Sequence, residues 1–112
     1  MSIAEGLLPE FDQEMATTRK LLARVSSDKG PWKPHPKSFP LGHLAQLVAP
    51  MPGWLTQMLR DTEINVATSL GYSFETADTL LGEFDRHVLE AREALTSAKD
   101  VDFTVLWSLK ER

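Results

Sequence analysis

Six of the seven prolines in this 112-residue chain fall between Pro31 and Pro52. A proline has no backbone donor, clashes with the carbonyl four residues back and biases its predecessor toward extended backbone. No unbroken helix can therefore run through this part of the chain. The fold must be assembled from long elements on either side, joined by a segment that turns and breaks repeatedly.

The flanking segments carry a helical period. Leu8, Phe11, Met15, Thr18, Leu22 and Val25 step by three and four, predicting a first helix from Leu8 to Val25 with Pro9 in its first turn. Glu10, Asp12, Gln13, Glu14, Arg19 and Lys20 fill its polar side. Leu81, Phe84, Val88, Ala91 and Leu95 repeat the pattern, predicting a helix over about Glu75–Lys99. Between them, Ser26–Phe39 is expected to strap across the bundle with Trp32 and Phe39 plugged in. A second helix is expected to begin near Ser38–Leu41, with Ser38 as cap and Pro40 in the first turn. Leu41, Leu44, Leu47 and Val48 are its expected buried side. Pro50 and Pro52 should break it between Val48 and Gly53 before it resumes through Arg60. Asp61–Phe74 reads as a polar loop. The tail from Asp100 to Arg112 is apolar, and its β-prone run Phe103–Leu109 has no evident partner strand. The expected class is all-α, an antiparallel helical bundle in one domain spanning residues 1–112.

Composition narrows the function classes. A net charge of −4 lacks the basic stripe that displaces counterions from phosphates, so no nucleic-acid partner is expected. No segment has the apolar length to span a bilayer, and the N-terminus lacks the basic-then-apolar order of a signal peptide. With no cysteine in the chain, thiolate chemistry is excluded and a cytoplasmic location is the expectation.

Residues 32–54, WKPHPKSFPLGHLAQLVAPMPGW, resemble the connector and second helix of the DinB-like superfamily. The stretches LLPEFDQEMATTRKLLARV, FDRHVLEAREAL and FTVLWSLKER resemble its first helix, its third helix and the segment before its fourth. The most specific portion is the Trp-x-Pro-His-x-Lys-Ser connector followed by Leu-Gly-x-Leu-Ala. The resemblance implies a bacterial four-helix bundle of which three main helices are present, the chain reaching Arg112 before the C-terminal helix would begin. It also implies a divalent nickel or zinc ion on three histidines, in a family that includes thiol-dependent transferases. One of those histidines belongs in a Leu-Ala-x-His-Val-Ala pattern, where this chain has Leu44, Ala45, Gln46, Leu47, Val48 and Ala49. Leu47 has no lone pair to offer a metal. The other two histidines lie on the fourth helix.

Three histidines remain. His43, one turn before Leu47 on a similar face, is the only candidate metal ligand, against the plainer reading of a hydrogen-bonded histidine at a helix start. His35 lies in the proline-rich connector, and a structural or solvent role is expected. His87, near Glu83 and Glu90, is expected to form a surface salt bridge. The serines show no nucleophile motif, and carboxylate pairs such as Glu10 with Glu14 sit at solvated helical spacings. Trp32, Trp54 and Trp107 are expected to be packing plugs. No catalytic residue and no cofactor is expected. The resulting expectation is a non-catalytic DinB-like protein with a degenerate metal site, acting through dimerisation or binding of a small molecule or protein. The alternative is a metal-dependent transferase or hydrolase whose ligands come from further sequence or another subunit. A homodimer is expected to use the Leu81, Phe84, Val88 and Leu95 stripe, the first-helix stripe and the tail through Trp107.

Overall fold

The computed structural model describes residues 1–65 and 76–110. Helices dominate, in the order α1 (Ile3–Leu22), α2 (Leu41–Val48), α3 (Met51–Arg60) and α4 (Ala77–Ser97). Short 3-10 turns cover Ser27–Lys29 and Asp100–Phe103. The all-α class is therefore observed. One small departure from it joins the ends of two helical segments: β1 (Glu63–Asn65) pairs in parallel with β2 (Ser108–Lys110). The expectation that the tail's β-prone run lacks a partner is thus corrected, because the partner strand lies just after α3. Glu63–Asn65, near the start of the loop expected over Asp61–Phe74, forms that ladder, and the remainder up to Phe74 lies outside the described residues.

α1 begins five residues earlier than its apolar stripe suggests, because its N-terminus is capped on every side. Ser2 Oγ accepts from the Glu5 N–H at 3.1 Å, and the Glu5 carboxylate accepts from the Ser2 N–H at 3.4 Å. This reciprocal pair satisfies donors that a helix start leaves open. Asp100 Oδ1 accepts from the Ile3 N–H at 2.9 Å and places a negative charge at the positive end of the helix dipole. Pro9 therefore sits inside α1 rather than in its first turn.

Two paired ion contacts set the direction of α4 against α1. Arg19 Nε and Nη2 donate to the two carboxylate oxygens of Asp85 at 2.8 and 3.0 Å. Arg92 donates in the same forked way to Asp12 at 2.9 and 3.0 Å. The contacts run in opposite order along the two helices, so α1 and α4 are antiparallel. Asp12 and Arg19, from the polar side of α1, thus tie the two helices together. Each arginine fork holds its aspartate's carboxyl below the usual carboxylate range, chiefly by hydrogen bonding.

Leu22, Ala45, Ala49, Leu80 and Phe84 form one buried cluster, with Met15, Val25, Val48, Leu81 and Val88 packed around it. Among the described residues the largest fully buried side chains are Phe84 and Leu95. The core is thin. The principal extents of the molecule are 45 × 33 × 21 Å, and a helix with its side chains is roughly 10–12 Å across, so the shortest dimension holds about two helices. The radius of gyration of 15.7 Å also exceeds the roughly 13 Å expected of a closed domain of this length.

The α2–α3 face as candidate functional site

The connector positions α2 through backbone bonds. The carbonyl of Trp32 accepts from the Leu41 N–H at 2.7 Å, and that of Gly30 accepts from the Gly42 N–H at 2.9 Å. These bonds replace a side-chain cap: Pro40, not Ser38, is the residue at the helix entry, and no side chain caps α2. The expected strap exists, but its aromatic plug does not. Trp32 is 56% exposed and Phe39 is exposed as well.

Pro50 and Pro52 separate α2 from α3 at the expected place. Ala49 (φ −56°, ψ −41°) and Pro50 (φ −85°, ψ −3°) both stay in the right-handed helical region. The break therefore costs hydrogen bonds without resetting the helical phase, and one face can continue across it.

Two faces do so, on opposite sides. Gly42, Ala45, Ala49, Pro52 and Thr56 are buried, with Gly53 half-buried among them. Leu44, Leu47, Met51, Trp54 and Met58 are between 38% and 50% exposed. At 100° per residue the centres of these two sets lie roughly 180° apart. The expectation that Leu44 and Leu47 form the buried side of α2 is corrected. Ala45 and Ala49 pack against Leu22, Leu80 and Phe84, and at Gly53 α3 approaches α4 too closely for any side chain. A Cβ on Gly53 would sit 2.7 Å from His87 Nδ1, inside the range that atoms tolerate. Large apolar residues are left outside at spacings of three, four, three and four, the pattern of a helix-pairing seam.

The whole segment from Leu41 to Leu59 contains no Asp, Glu, Lys or Arg. Charge gathers at its two ends. Lys29, Lys33 and Lys37 precede α2, whereas Asp61 and Glu63 follow Arg60 at the end of α3. By contrast, the outer sides of α1 and α4 carry the Arg–Asp ties and the Arg86–Glu90 pair at 3.4 Å.

The structure keeps the three histidines in separate local settings. His43 is half-buried on α2, its ring edge-on to Phe39 with centroids 4.7 Å apart and planes at 64°. His35 Nδ1 accepts from the Lys37 N–H at 3.1 Å within the exposed connector. His87 does not make the expected salt bridge; its Nδ1 is buried against Gly53 without a hydrogen-bond partner, and Arg86 takes Glu90 instead. Among the described residues, no three His, Cys, Asp or Glu side chains gather into a group that could hold a metal ion. Leu47, at the position the resemblance gives to a ligand, points outward into the apolar stripe.

Other surfaces offer less. A shallow, open depression on α4 is lined by Leu89, Arg92, Glu93, Thr96 and Ser97, all from one helix, and so cannot enclose a ligand. Phe84 and Leu95, expected at an intermolecular interface, are buried within the chain, and Leu81 and Val88 pack against its core. Phe84 and Leu95 therefore have almost no surface left to offer a partner, while Leu81 and Val88 are partly buried. Trp107 is half-buried, and Trp54 stands exposed in the α2–α3 stripe. The signal for that stripe was present in the sequence as a seam spacing within an uncharged stretch. No described helix is long and apolar enough to cross a membrane. No family model, curated protein or solved structure matches this chain.

Proposed function

We propose that this chain is a non-catalytic helical association protein of DinB-like type, whose working surface is the outward apolar face of α2 and α3. The observation carrying this reading is the seam of Leu44, Leu47, Met51, Trp54 and Met58, exposed along about 21 Å of helix. Apolar surface gains roughly 25 cal/mol for each Å² removed from water, so a continuous stripe of this kind favours a covering partner. Leu47 fits that use in full. The same residue offers nothing to a metal, and His43 is turned against Phe39.

The test combines metal analysis with an association measurement. Protein purified without metal affinity steps is equilibrated with nickel or zinc, desalted and analysed for bound metal. In parallel, lysine crosslinking follows its association over a concentration series. The reading expects substoichiometric metal and a crosslinked complex that disappears in the Leu47→Glu/Met51→Glu variant. Stoichiometric metal lost on His43→Ala, with no association, would instead support a metal-dependent enzyme.

A further inference from the structure

We infer that the partner on this face is a second copy of the same chain, docked antiparallel about a two-fold axis beside Met51. The inference rests on the association reading above and specifies its partner and geometry. Leu44 and Leu47 of one copy then lie against Met58 and Trp54 of the other.

Charge and shape support this arrangement, and area sets its strength. The five seam residues expose roughly 450 Å² per copy, below the roughly 800 Å² per partner of a standard interface and suited to a reversible contact. An identical face brings an equally uncharged surface, so no charged group is buried without a partner. A lipid surface fits less well, because interfacial helices carry a cationic polar rim, whereas Leu41–Leu59 is without charge.

Orientation follows from the ends. Antiparallel docking brings Lys33 and Lys37 of one copy toward Asp61 and Glu63 of the other. Parallel docking would set lysines against lysines and carboxylates against carboxylates. It would also stack Trp54 on its own copy, whereas the antiparallel register places that bulky ring against the smaller Leu47. Helix dipoles are likewise better opposed than aligned.

The absence of cysteine makes the register directly readable. Met51→Cys, Leu44→Cys and Met58→Cys chains are prepared singly, checked for unchanged helicity, and oxidised or bridged with a short bis-maleimide. Antiparallel pairing predicts efficient self-linking of the Met51→Cys chain. An equimolar mixture of the Leu44→Cys and Met58→Cys chains should give the mixed product several-fold over either self-linked one. Self-linking of both end variants without the mixed product would overturn the antiparallel geometry while leaving association intact. A dimer that links through none of these sites would place the interface elsewhere and overturn the inference. Monomeric protein throughout would overturn the second copy as partner; the association reading would survive that result only if the monomer partitions onto neutral or anionic vesicles and the Leu47→Glu/Met51→Glu variant does not, and would fall with it if both chains stay in solution.

Discussion

Gly53 shows how one missing side chain sets the distance between helices. Its backbone lies against the His87 ring, where an added Cβ would come within 2.7 Å of Nδ1. Gly53→Ala should destabilise the fold by about 1–3 kcal/mol through overpacking. The loss should shrink markedly in a His87→Ala background, because the shortened side chain leaves room for the new methyl. Urea denaturation of the four members of this double-mutant cycle measures that coupling. Additive losses would mean that the two residues do not share the contact. Leu47 makes the complementary point: its hydrocarbon chain removes a donor from one position and supplies apolar surface at the same place.

At the scale of elements, the two Arg–Asp forks connect α1 to α4 two turns apart. Both aspartates have folded-state pKa values below the ordinary range, caused first by the arginine hydrogen bonds. A lowered carboxylate pKa gives stability that is present at neutral pH and is lost as pH falls through the carboxylate range. The Asp12→Asn/Asp85→Asn variant should therefore melt below the wild type at pH 7, with the difference narrowing between about pH 5 and pH 2. A constant difference across that range would remove the ion pairs from the account. The groups are about half exposed, so the effect should be modest and weaken with salt.

α2 and α3 invite a sharper comparison. Ala49→Leu pushes a large side chain into a fully buried position and should cost about 1–3 kcal/mol. Leu47→Ala, measured by denaturation at concentrations low enough to keep chains apart, removes a side chain already 38% exposed and should cost less than Ala49→Leu, at most about 1 kcal/mol. The reverse order would show that the face assignment is inverted. This is also where sequence reading reached its limit. The long periods of α1 and α4 and the break at Pro50 and Pro52 were legible because each is a local consequence of spacing or a missing donor. The facing of α2 was not, because Leu44/Leu47 and Gly42/Ala45/Ala49 both repeat at helical intervals. Burial usually follows the larger residues, but here the smaller set lies against Leu22, Leu80 and Phe84. The early start of α1 could have been read from Ser2 and Glu5, whose spacing is that of a capping box. The β1–β2 ladder could not, since it joins segments more than forty residues apart through backbone bonds.

As a whole, the molecule carries two unlike kinds of surface. α1 and α4 carry the Arg–Asp ties, whereas Leu41–Leu59 of α2 and α3 is free of charged residues, on a body only 21 Å thick. A layer of this thickness leaves its apolar seam in water unless another layer covers it. Sedimentation equilibrium of the wild type and of Leu47→Glu/Met51→Glu over micromolar to submillimolar concentrations tests this claim most directly. The wild type should fit a reversible dimer, and the variant should remain a folded monomer over the same range. A wild-type chain that stays monomeric at the highest concentration, or a variant that dimerises as readily, would contradict it.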